Sequence, residues 1–266
     1  MAAPSTQRWP SWQGLFTLVM FAFMYGPILV LAVYSVNASR YGAVWEGFSL
    51  VWYRRMITDV RLISALQDSL TVAVVAVLIS AVIGTMMAVG LAHYQFFGKG
   101  LYRGVSYLPL IVPDITIAVS TLIFLATMAV PLSLFTIIAA HTVFCLAYIA
   151  VVVSTRFSSI DPNLQEAALD LGATPVQAFL KVLLPELMPA IISGCLLAFI
   201  LSLDDLLISS FTAGGGANPL PIEIFSRIRT GVKPDINALS VVLILSSGAL
   251  AFVAEYVRYR SQQRIS

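Results

Sequence analysis

The chain alternates long apolar stretches with short polar ones. Leu15 to Val36 carries no charge and is long enough to cross a hydrocarbon core of about 30 Å at about 1.5 Å of helical rise per residue. The same criterion marks spans at about 69–92, 187–207 and 236–257. Between Arg103 and Arg156 the only Asp, Glu, Lys or Arg is Asp114, a run too long for one helix, and Pro131 divides it into spans at 105–130 and 132–155. The pattern predicts an all-α polytopic membrane protein with six transmembrane helices in a single domain, 1–266, and both termini on one side. Gly26 and Pro27 predict a kink in the first span, and Trp9 and Trp12 precede it at interfacial depth. Three connections, about 37–68, 156–186 and 208–235, are too long for simple turns. The first holds Trp45, Trp52, Tyr53, Arg54 and Arg55, which suits a helix on the membrane surface or an ordinary interfacial loop.

Composition agrees: 59% of residues are hydrophobic and 11% charged, with a mean hydropathy of +0.92, far from a soluble protein. A net charge of +2 without single-sign runs excludes the electrostatic footprint of a nucleic-acid binder. Cys145 and Cys195 sit in apolar runs and predict neither a disulfide nor a metal site. The uncharged first stretch is too long for the apolar core of a cleaved signal and reads as a retained span. Lysine and arginine do not decide orientation. With both termini inside, Arg8, Lys99, Arg103, Arg156, Lys181, Arg258, Arg260 and Arg264 oppose Arg40, Arg54, Arg55, Arg61, Arg227, Arg229 and Lys233.

The connection at 156–186 carries helix signals of its own. Asp161-Pro162 offers a cap acceptor and a first-turn proline, Gly172 a stop, and Thr174-Pro175 a second start. The second helix is expected to run to Leu184, where Pro185 and Pro189 interrupt it. Glu166 and Asp170, four residues apart, repel slightly and suit a cationic partner face. Glu166-Ala167-Ala168, three residues, Gly172, nine residues, Val182, one residue and Leu184-Pro185 resemble the EAA loop of permease subunits of binding-protein-dependent ABC importers, with Val182 where isoleucine is usual. The resemblance implies the type I importer permease fold. It implies that Glu166, Ala167, Ala168, Asp170, Gly172 and Pro185 couple the chain to a cytoplasmic ATPase subunit. It also places this loop and both termini in the bacterial cytoplasm.

The resemblance narrows elsewhere. Tyr34 to Ser39, Val112-Pro113-Asp114, Ala198 to Asp205, Ser209-Ser210-Phe211 and Gly231 to Leu239 are similar to spermidine and putrescine permeases, and EAALDLGATP with PAIISGCLLAF to the putrescine type in particular. The implied partners are a second homologous permease, two ATPase subunits using ATP and Mg, and an extracytoplasmic polyamine-binding protein. No cofactor is expected on this chain.

Ionisable residues within spans mark substrate or ion paths by default, and three carboxylates qualify: Asp114, Asp204 and Asp205. Counted along straight helices from the cytoplasm, Asp114 lies roughly 14 Å and Asp204 roughly 26 Å in, a stagger of about 12 Å over which a flexible diamine could be handed on. Carboxylates stabilise desolvated ammonium groups, and Trp45 could add cation–π attraction. Ser202 lies on the face that includes Asp205. Ala190, Gly194, Ala198 and Ser202 recur every fourth residue, which fits close helix packing. Interfacial solvation of Asp204 and Asp205, and service to broken backbone by Asp114 after Pro109 and Pro113, are the plainer readings.

Other signals are weak. Gly214-Gly215-Gly216 lacks the lysine and hydroxyl residue of a phosphate-binding loop, so ATP hydrolysis must reside in another subunit. Asn37-Ala38-Ser39 matches a glycosylation pattern of little specificity. His93 and His141 lack ligand spacing, and His141 reads as a hydrogen-bonded interior residue. The alternative function is an ion-coupled secondary transporter of organic cations using Asp114 and Asp205. An enzyme lacks any catalytic set.

Overall fold

The computed structural model describes residues 11–39, 44–161, 163–230 and 234–263. Trp9, Pro162, Gly231 to Lys233, and the cations Arg8, Arg40 and Arg264 lie outside them, and the side chains of Arg258 and Arg260 are likewise not described. The chain is helical nearly throughout: α1 (Ser11–Ser35), α2 (Val51–Thr58), α3 (Val60–His93), α4 (Lys99–Tyr107), α5 (Asp114–Thr127), α6 (Leu134–Phe157), α7 (Asn163–Asp170), α8 (Pro175–Ala178), α9 (Leu184–Asp204), α10 (Leu207–Thr212), α11 (Leu220–Thr230) and α12 (Pro234–Gln263). Among the described residues four helices are long and apolar enough to cross a membrane, or five if one bent pair is a single span. Pro234–Ala249 is a shorter apolar segment. The chain divides into two compact units, Met1–Asp59 with Arg227–Leu245, and Val60–Ser226 with Ser246–Ser266.

The second unit is built on α3, α6 and α9. On α3 the buried residues Ser69, Val72, Ala73, Ala76, Val77, Ser80, Gly84 and Ala88 recur at intervals of three and four and form one face. Lipid supplies no hydrophobic drive between helices, so close van der Waals contact through small residues must do the work. The predicted stripe on α9 does this: a Cβ on Gly194 would stand 3.4 Å from the Ile149 backbone of α6. Ala198 is fully buried, and its carbonyl accepts from Cys145 Sγ at 3.7 Å.

The stretch 105–130 carries the break that Pro109 and Pro113 allow: Lys99–Leu110 and Asp114–Thr127 meet at 107°. Pro109 and Pro113 each remove an N–H, and Val112, preceding proline, is steered out of the helical region. A depth for Asp114 counted along a straight helix therefore does not hold. Pro131 does fall in the break between α5 and α6. Pro185 and Pro189, expected to interrupt the next helix, do not: it is continuous over Pro175–Asp204. A π-helical turn at Phe179–Leu183 widens the coil just before Pro185, where the proline ring would otherwise press on the preceding turn.

In the first unit α1 continues through Pro27. The connection after it folds over Asn37, which is buried and whose side chain donates to the Val44 carbonyl at 2.8 Å and accepts from the Ser39 and Glu46 N–H groups. That amide is occupied, which removes the glycosylation reading. Helix α2 buries Trp52, whose indole N–H donates to the Asn37 carbonyl at 2.8 Å while Arg55 lies 4.8 Å over its ring. Arg227 bridges Asp59 at 2.8 Å and Asp235 at 3.1 Å.

Candidate functional site

The polar connection after α6 forms two short helices set by local capping. Asp161 Oδ1 accepts the Asn163 N–H at 2.9 Å and starts α7. Gly172, at φ +88°, stops it: the Ala173 N–H reaches the Ala168 carbonyl at 3.1 Å and the Gly172 N–H that of Leu169 at 2.9 Å. This bond pair closes a helix end only when the intervening residue is left-handed. Thr174 then caps α8, its Oγ1 accepting the Gln177 N–H at 3.3 Å while Gln177 Oε1 accepts the Thr174 N–H at 3.0 Å.

The hairpin presents Glu166, Ala167 and Asp170 as exposed residues, with Ala168 half-buried. Leu171, 89% exposed, and Val176, 65% exposed, stand apolar beside them. Pro185 is exposed where the hairpin joins α9. Its two ends are clasped by a pair that the sequence reading missed. Arg156, in the last turn of α6, donates through Nη2 to Glu186 Oε2 at 2.9 Å and through Nε to the Glu186 carbonyl at 3.2 Å. The available signal was that each is the charged residue next to an apolar run.

A second constellation is buried among α6, α9 and α10. His141 is 1% exposed, with Nδ1 2.7 Å from Ser202 Oγ and Nε2 3.0 Å from Ser209 Oγ. The same Nε2 is 3.3 Å from Asp205 Oδ2. Asp205 ends α9 in an extended conformation and accepts the N–H groups of Ser209 at 2.7 Å and Ile208 at 3.3 Å. At the far end of α10, Thr136 Oγ1 lies 2.8 Å from the Thr212 carbonyl and 2.7 Å from the Ser133 carbonyl, which share its one hydroxyl proton. Gly214 passes so close to the Leu132 backbone that a Cβ there would overlap it. That close approach requires glycine at this position.

The predicted path residues differ in burial and in the bonds they make. Ser202 is buried and bonded to His141, and Asp205 is half-buried and used by the fold. Asp204, one residue earlier, is exposed at the end of α9. Asp114 is exposed in the first turn of α5, at the bend. Trp45, in the first unit, is 50% exposed. No group of three or more metal-ligating side chains occurs among the described residues.

Residues 80–266 match the family model of the binding-protein-dependent transport system inner membrane component. The chain is 41% identical over 260 residues to the putrescine transport system permease protein PotI of Escherichia coli K12, covering 95% of this chain and 92% of that one. It is 38% identical over 242 residues to the spermidine/putrescine transport system permease protein PotC of Haemophilus influenzae, covering 91% and 94%. Among solved structures, a chain of a bacterial ABC transporter involved in import of the acidic polysaccharide alginate superposes with a TM-score of 0.77 over 96% of this chain and 98% of that one, at 15% identity. A chain of the inward-facing MetNI methionine ABC transporter superposes at 0.60 over 75% and 95%, at 25% identity.

Proposed function

This chain belongs to the family of binding-protein-dependent transport system inner membrane components, and from that premise we propose that it forms half of the translocation path of an ATP-driven polyamine importer. It is a multi-pass inner-membrane permease subunit of an ABC importer, a transport component without an ATPase domain. Family membership implies an ATPase and a binding protein as partners and removes the ion-coupled alternative.

The finer reading has a second homologous permease completing the path, two ATPase subunits consuming ATP and Mg, and an extracytoplasmic polyamine-binding protein delivering cargo. Six spans follow when the bent pair counts as the third and α12 supplies the sixth, with both termini cytoplasmic. Putrescine or spermidine as cargo is supported by similarity to PotI and PotC over more than nine-tenths of this chain. Asp114 and the Asp204–Asp205 turn are the acidic steps for ammonium groups, with Ser202 beside that turn and Trp45 as an exposed aromatic face.

The observation that carries the coupling role is the hairpin itself. Its two caps and its left-handed glycine fix a rigid projection whose exposed face holds Glu166, Ala167 and Asp170 and whose base is clasped by Arg156 and Glu186. A groove on an ATPase subunit gripping Glu166 to Gly172 could push on α9 through Pro185, because the helix is unbroken from Pro175 to Asp204. The test is uptake of labelled putrescine by cells that lack other polyamine importers and carry this chain with its genomic partners. Uptake competed by spermidine but not by neutral amino acids supports the cargo assignment, and absence of polyamine uptake refutes it.

A further inference from the structure

We propose that His141 is a positioning residue of the path: it locks Asp205 into the α9–α10 turn, so that of the two adjacent aspartates only Asp204 meets an ammonium group. The inference rests on the polyamine reading and narrows it.

The two carboxylates have opposite surroundings. Asp205 accepts two backbone N–H groups and faces His141 Nε2, and its side chain is 10% exposed. Its lone pairs are largely committed, and an ammonium ion would have to displace donors that hold the first turn of α10. A neutral imidazole protonated on Nε2 satisfies the whole cluster: that N–H points at Asp205 and Ser209, and Nδ1 accepts the Ser202 hydroxyl. Ser202 thus acts through His141. Asp204 is the last helical residue and Asp205 the first extended one, so the chain turns between them. Asp204 is exposed. An exposed carboxylate beside a membrane-crossing helix does not face hydrocarbon, and water or another protein surface is what remains. Thr136 meets the Thr212 carbonyl at the other end of α10, so Asp205 is the group that holds the first turn of the segment.

The two roles predict different substitution patterns. A cation ligand needs its charge, so Asp204→Asn and Asp204→Ala are equally defective, each losing about tenfold or more of uptake. A backbone cap needs an acceptor rather than a charge, so Asp205→Asn retains most uptake whereas Asp205→Ala loses it. His141→Gln, which keeps a donor for Asp205, is milder than His141→Leu. His141→Leu and Asp205→Ala combined are no worse than the more severe single change, whereas either adds to Asp204→Asn.

The experiment measures putrescine uptake, ATP hydrolysis stimulated by loaded binding protein, and melting temperature for these variants of the complete complex in proteoliposomes. Asp204 variants are expected to keep wild-type melting and stimulated hydrolysis while moving less putrescine per ATP. Asp205→Ala and His141→Leu are expected to melt earlier and to lose hydrolysis and uptake together. If Asp205→Asn is as defective as Asp205→Ala at unchanged melting temperature, Asp205 is itself a cation ligand and the inference is overturned, with the polyamine reading intact. Additive melting losses for His141→Leu and Asp205→Ala overturn the positioning role. If the wild-type complex moves no putrescine or spermidine, the polyamine reading fails, and with it the assignment of Asp204.

Discussion

Substituting Gly172 tests the coupling role proposed for the hairpin. Its φ of +88° lies in the left-handed region, and a Cβ placed there would meet nothing within 4 Å. The cost of a side chain is therefore backbone strain without a clash. For an ordinary L-residue that strain is about 1–2 kcal/mol, more for a β-branched one and less for asparagine, which tolerates the left-handed region. A penalty of that size shifts a local equilibrium by about 5–30-fold, away from the turn that orients α7 against α8. The expected order of uptake is Gly, then Gly172→Asn, Gly172→Ala and Gly172→Val. Insertion and yield should not follow that order, because the hairpin's exposed residues bury little. Uptake and ATP hydrolysis are measured on the same reconstituted complexes. Gly172→Val is expected to hydrolyse ATP with weakened stimulation by loaded binding protein and to transport poorly. Wild-type uptake by Gly172→Val, or equal impairment by Asn and Val, would show that the left-handed turn does not matter for transport.

Arg156→Ala, which loses both the ion pair and the bond to the Glu186 carbonyl, should speed proteolysis within 156–186 while leaving the spans protected. The pair is partly exposed, so the loss should be about 1 kcal/mol and should show as a rate difference. Gly214→Ala should lower the melting temperature measurably, since its Cβ overlaps the Leu132 backbone and relief of such a contact costs about 1–3 kcal/mol. Gly194→Leu, against Ile149 and Val152, should reduce folded yield, read by detergent-resistant monodisperse complex. A maleimide should label neither Cys145 nor Cys195 in the native complex, because both lie in the middle of membrane-crossing helices where the reactive thiolate does not form, and should label both after denaturation.

What could be read from the chain follows the range of the forces involved. Hairpin boundaries were legible because Asp161, Gly172 and Thr174 act on backbone groups within a few residues, and the caps form where those residues stand. The small-residue stripe on α9 was legible from its spacing, and Gly194, Ala198 and Ser202 do form a buried face. Proline was a weaker guide. Pro131 lies in a break, the Pro109 and Pro113 pair bends a stretch that hydropathy alone reads as straight, and a π-helical turn absorbs Pro185. His141 is the hydrogen-bonded interior residue that its setting suggests, but its partners Ser202 and Ser209 lie 61 and 68 residues away and could not be paired with it from the chain alone. The sequence reading joined Asp204 and Asp205 because they are adjacent, whereas the helix end between them separates their surroundings.

On the proposed function, this subunit moves polyamine only when a partner ATPase hydrolyses ATP and a binding protein delivers the cargo. The direct measurement is uptake of labelled putrescine into proteoliposomes holding the complete complex, with the binding protein supplied on the extracytoplasmic face and ATP on the ATPase face. A proton ionophore is present throughout. Accumulation is expected to require both ATP and binding protein and to be unaffected by the ionophore. Accumulation without ATP that collapses when the ionophore is added would contradict the proposed function.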